Sequence, residues 1–221
     1  MDNTDIKTTT YFQIAVKVLA TSSDAYPSPN TATILSFLYS TIVALALTTG
    51  LRNLLAPTGQ ISRSFTEIPL SEFLLFCTFI VVVIPFYHGA VWALVRSYKQ
   101  DVAARKGGLM VITFAAMLLE ASLFYAMGTS IGSLHNFVFY FGGLMLLDST
   151  WVAFAHAAGA TNREAPRIWA PINLSTLVFL VIYWNFMDLS LARHALLFVA
   201  AAVRTVFDYY LTRGYYLPEL A

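Results

Sequence analysis

Five ionisable residues, His88, Glu120, Asp148, Arg204 and Asp208, lie inside stretches that are otherwise apolar. An imidazole, three carboxylates and one guanidinium offer proton exchange, cation coordination or charge pairing. Arg204 and Asp208 stand four apart, so on a helix they share one face. An arginine at the centre of a bilayer-spanning helix costs roughly 2.5–3.5 kcal/mol on insertion scales. A chain keeps such a residue where a partner or a polar cavity receives it. The shared face is therefore expected to look inward, onto other helices.

Those helices are readable from composition. The 221 residues are 58% hydrophobic and 11% charged, against about 25% charged in ordinary globular chains. A soluble fold of that apolarity would lack polar surface to cover its core. The expected class is all-α, a polytopic membrane bundle of six spans, each near the roughly 20 residues that cross hydrocarbon. The spans are predicted at 31–55, 70–95, 109–131, 137–158 and 168–187, with a sixth ending at Arg213-Gly214. Pro85 should kink the second. Residues 1–30 read as a cytoplasmic segment, partly flexible or interfacial, in which Tyr11–Ala20 fits a short interfacial helix or a strand and is too short to span. Residues 31–213 form the membrane domain, and 214–221 a short tail. Asp2 and Asp5 stand where a secretory signal carries its basic residues.

Lys and Arg near the span ends set the expected orientation. One side holds Lys7, Lys17, Arg96, Lys99, Arg105, Lys106, Arg163, Arg167 and Arg213. The other holds Arg52, Arg63 and Arg193. Both termini are expected in the cytoplasm, where Tyr209, Tyr210, Tyr215 and Tyr216 would form an aromatic belt.

At 1.5 Å per residue, Glu120 and Asp148 fall about at mid-bilayer, Arg204 within roughly 2–3 Å of it, and His88 and Asp208 about 7–8 Å toward the cytoplasm. All five thus share one half-membrane slab. If every acid ionised, three carboxylates would face one arginine. Protonated carboxylates, a protonated His88, a bound cation or entering water would relieve that excess.

A purely structural reading stands beside this one, since interhelical hydrogen bonds average about 0.6 kcal/mol in membranes. On it, Arg204 pairs with Asp148 or Asp208. Asp148 is favoured, being level with Arg204 on another helix, while the basic-before-acidic order weakens Asp208. His88 could bond a carbonyl freed by Pro85. His156 and Asn173 would be hydrated near the interface, and Asn185 and Asp188 would cap or meet water. Gly128 and Gly132, with Gly142 and Gly143, read as close packing within the hairpin of the third and fourth spans. A Glu120 pointing outward would require a homo-oligomer or a partner subunit.

A formal net charge of +1 without a basic patch excludes a nucleic-acid binder. The single Cys77 excludes an intrachain disulfide. No structural-zinc spacing, HxxxH pair or Gly-x-Ser-x-Gly nucleophile signature appears within a span, so no metal, cofactor or catalytic residue is assigned. Four histidines, six spans, AVWALVR at 90–96 and SLH at 133–135 are faintly similar to cytochrome b561 proteins. That resemblance would imply a b-type haem held by histidines at matched depths. The third span has no histidine, and His135 and His194 fall in turns.

Two functions follow as expectations. One is a small transporter or channel with a proton- or cation-linked polar site in the bilayer. The other is a non-transporting subunit that anchors or senses for a larger complex. Haem electron transfer is a remote third.

Overall fold

Hydrocarbon offers backbone amides no water, so each apolar run must satisfy its N–H and C=O groups internally, which a helix does. A computed structural model of the chain describes residues 29–57, 63–100, 107–157, 165–185 and 190–216, and all regular structure among them is helical. The helices are α1 (Pro29–Leu55), α2 (Leu70–Gln100), α3 (Gly107–Thr129), α4 (Leu134–Ala157), α5 (Ala165–Asn185) and α6 (Leu191–Tyr216). Each contains a stretch long and apolar enough to cross a membrane. The chain is a multi-pass helical membrane protein. The readings at 1–28, including Tyr11–Ala20, and at 217–221 lie outside the described residues.

Several helices run past their expected ends. α2 continues through Arg96 and Lys99 to Gln100, because these straight-chain residues are good helix formers once past the hydrocarbon. α5 begins at Ala165, three residues before the expected start, with Pro166 in the first turn, where a missing N–H is harmless. Pro171 lies inside α5, a second interior proline besides Pro85.

The helices pack as a ring in the order α1, α3, α4, α5, α6, α2 and back to α1, with α2 also touching α3. The joint between α5 and α6 is the loosest of the ring. The two halves do not repeat one another, since α1 packs along α3 whereas α4 packs along α5. Tyr39, Phe79, Phe124, Phe137 and Phe141 are fully buried, while Phe37, Phe139, Val111 and Phe207 face outward. Apolar residues thus occupy both faces, as hydrocarbon permits. Polar and small residues are what distinguish inside from outside.

Two local devices hold the ring. Pro85 has no N–H for the carbonyl of Val81, four residues earlier. Thr205 of α6 donates its hydroxyl to that carbonyl at 3.0 Å, the substitute bond that tolerates proline in a membrane helix. His88, expected as the donor, bonds elsewhere. Gly128 packs against α1 and not within the α3–α4 hairpin. A Cβ on it would sit 2.7 Å from the Ala46 carbonyl and 3.3 Å from the Gly50 nitrogen. A Cβ on Gly132 would meet nothing within 4 Å. Asn53 of α1 adds a bond to the Gly128 carbonyl at 3.2 Å. Only Gly143 meets the hairpin partner, with Leu123 at 3.5 Å.

At the start of α2, Arg63 pairs with Glu72 at 2.7 Å. The Ser64 backbone N–H donates to the Glu67 carboxylate at 2.7 Å, which holds that carboxyl below its usual range.

Candidate functional site

Every helix of the ring turns at least one polar group inward. On α3, Glu120 is buried and accepts a bond from the Tyr39 hydroxyl of α1 at 2.5 Å. Tyr39 in turn stacks on Tyr87 of α2, with centroids 5.9 Å apart and planes at 9°. The Tyr87 hydroxyl shares a hydrogen bond with Ser40 at 2.9 Å. Glu120 therefore faces its own bundle, and the condition that would have required a neighbouring chain is not met.

Arg204 on α6 is 7% exposed and reaches three elements. Its Nη2 donates to the Asn173 side-chain oxygen of α5 at 2.7 Å. Its guanidinium lies 4.8 Å above the ring of Phe86 of α2. Its Nη1 stands 3.7 Å from the Asp208 carboxylate, one turn along α6. Asn173 donates through its nitrogen to the Asp148 carboxylate of α4. Asp208 also accepts from the Trp169 indole N–H of α5 at 3.0 Å.

Asp148 is thus joined to Arg204 through an amide, and the ion pair to Asp208, the second choice on sequence, is the direct one. Asn173 was expected in water near the interface but is 1% exposed. The reason is its direction, since it faces Asp148 of α4 and Arg204 of α6 and bonds to both. Asn173, Tyr39 and Trp169 are the site residues that sequence reasoning missed. The interior prolines offered a signal for Asn173, which lies two residues after Pro171.

His88 stays apart from these groups and meets the Tyr209 hydroxyl through Nδ1 at 3.1 Å. Tyr209 therefore turns inward and leaves the expected belt. Tyr210 stays outside at 64% exposure, beneath Arg213 at 5.7 Å. The side chains of Tyr215, Tyr216 and His156, and Asp188 entirely, lie outside the described residues. His135 meets the Trp184 ring at 5.5 Å, and His194 lies 2.9 Å from the Ser190 carbonyl through Nδ1. Asn185 bonds the carbonyl of Val181 in its own helix at 2.7 Å.

The five expected residues therefore fall into three groups. Asp148, Arg204 and Asp208 are connected, with Asn173 between the first two. Glu120 with Tyr39 is a second group, within electrostatic reach of Asp148 but not hydrogen-bonded to it. His88 with Tyr209 is the third. Measured from the span centres, Glu120 is at the midplane, with Arg204 about 2 Å, Asp148 about 6 Å, Asp208 about 8 Å and His88 about 10 Å from it. All four are displaced toward the face that α1 leaves and α6 reaches. The opposite half is closed by Leu54, Met127, Ile131 and Phe137, all buried.

No protein-family model matches the chain, and no curated protein or solved structure is significantly similar to it.

Proposed function

We propose that the chain is a small proton- or cation-linked membrane transporter working through Glu120, Asp148, Arg204 and Asp208, with His88 and Tyr209 on the path to one face. The observation that carries this reading is the enclosed charge. Three carboxylates and one guanidinium lie within a six-helix ring. Ionised together they would leave two uncompensated negative charges in low dielectric, which a proton or bound cation relieves. A scaffold has no use for that excess.

Two features support a carrier over an open pore. The acids and Arg204 lie from the midplane toward one face, while the other half carries Leu54, Met127, Ile131 and Phe137 beside the uncharged Thr78 and Ser130 and the terminal His194. Interior prolines lie in the second helix of each three-helix half, Pro85 and Pro171, and each adjoins a contact of Arg204, through Phe86 and Asn173. Both termini are assigned to the cytoplasm on the Lys/Arg asymmetry.

The subunit reading keeps one observation in its favour, because the relay bonds largely to itself, as a structural clamp would. Currents from reconstituted protein on a solid-supported membrane, recorded on jumps of H⁺, Na⁺ and K⁺, separate the two. The proposal expects a current with at least one ion that Glu120→Gln removes. Silence with all three ions would favour the subunit.

A further inference from the structure

We propose that the groove between α5 and α6 takes a lipophilic carboxylic acid, which enters sideways from the bilayer and places its acid group on Arg204. This rests on the transport reading and supplies its substrate class. The groove has a volume of about 380 Å³, within the range of small-molecule sites. Its walls are apolar, with Ile172 and Phe179 of α5, Val203 and Phe207 of α6, and Phe141 of α4. Val203 and Phe207 are 49% and 55% exposed, so the groove opens on the outer, hydrocarbon-facing surface. Arg204 is the charged residue of its lining. A hydrocarbon tail suits the walls, and an anionic head suits the guanidinium.

The joint that the ligand would enter is the loosest of the ring. Two polar links between α5 and α6 lie there, Arg204 to Asn173 and Trp169 to Asp208. An anion arriving alone would add to an excess of negative charge. A carboxylic acid arriving neutral does not. Its O–H bond breaks, its proton forms an O–H bond on Asp208, and its carboxylate takes Arg204. One ion pair is exchanged for another, and no charge is added. Asp208 lies behind the groove's lining, 3.7 Å from the Arg204 guanidinium. Around it stand Thr212 on its own helix, Trp169 from α5, Asp148 behind Asn173, and the His88–Tyr209 pair on its cytoplasmic side. An amine would be repelled by Arg204, and an alcohol has no negative charge to offer it.

The test is binding of tritiated dodecanoate to the full-length protein in phosphatidylcholine nanodiscs, with unlabelled competitors. Dodecanoate should displace the label at least about tenfold better than dodecanol, the margin of a charge-assisted over a neutral hydrogen bond. Dodecylamine and acetate should not compete. Ser175 lines the groove from its exposed rim, so Ser175→Trp should lower affinity at least about tenfold by filling the groove, with the thermal unfolding midpoint kept. Arg204→Gln should lose the preference over dodecanol if it folds, and Ser175→Trp decides if it does not. Equal competition by dodecanol, or unchanged binding in Ser175→Trp, would overturn the proposal. In that event, Glu120-dependent ion currents would leave transport standing with a different substrate, and their absence would remove both.

Discussion

Asn173 divides its amide between two charges of opposite sign, its nitrogen donating to Asp148 and its oxygen accepting from Arg204. No apolar residue can serve both, and Asn173→Leu should destabilise the protein by about 1–3 kcal/mol, the cost of leaving buried partners unsatisfied. Guanidine-free thermal unfolding in detergent reads this. The direct pair makes a sharper prediction. Arg204→Ala leaves Asp208 without its ion-pair partner, a loss of about 3–5 kcal/mol in soluble proteins, and should reduce folded yield by size-exclusion chromatography. Adding Asp208→Asn should restore more of that yield than adding Asp148→Asn, because Asp208 is the direct ion partner of Arg204, whereas Asp148 meets it only through Asn173. Equal rescue by the two would show that Arg204 answers to both acids alike. The four-residue spacing put Arg204 and Asp208 on one face, but matched depth favoured Asp148 as the mate. Asn173, the amide that stands between Arg204 and Asp148, could not be foreseen, because its bonds depend on which helices stand beside α5.

At the scale of the helix, Pro85 and Thr205 are one device shared by α2 and α6. Thr205→Val keeps the shape but removes the hydroxyl from the Val81 carbonyl, and should cost about 1–2 kcal/mol. In a Pro85→Ala background, position 85 regains an N–H for that carbonyl, so the same substitution should cost much less. A double-mutant cycle on unfolding midpoints measures this, and strict additivity would contradict the substitution of one donor for the other. Gly128 and Gly132 make a second pair of opposites. Gly128→Ala drives a methyl group to 2.7 Å from the Ala46 carbonyl, so α1 and α3 must part, at about 1–3 kcal/mol. Gly132→Ala meets open space and should be near neutral. The sequence motif presents both glycines alike, and the hairpin was its natural partner. The ring order, which brings α1 and not α4 against Gly128, is set by long-range packing that no local pattern carries.

Across the whole molecule, the existence and rough ends of six spans were legible because hydrocarbon thickness fixes a length that composition reveals. The ring was not legible, since lipid-facing and core-facing surfaces are equally apolar and periodicity marks neither. The polar residues supplied the inward direction, and the structure adds that the three acids and Arg204 lie from the midplane toward one face. Orientation is checked by replacing Cys77 and introducing single cysteines. Ser133→Cys should label from outside intact cells and Gly107→Cys only after permeabilisation; outside labelling of Gly107→Cys would reverse the assignment. The central claim is that the enclosed acids move a proton or a cation across the membrane. Ion-driven flux into dye-loaded proteoliposomes, compared at matched incorporation for the wild-type chain, Glu120→Gln and Asp148→Asn, tests it most directly. The account predicts flux in the wild type that falls at least about tenfold in each variant, the loss expected when a group needed for proton transfer is removed. Wild-type flux that both folded variants retain in full would contradict it.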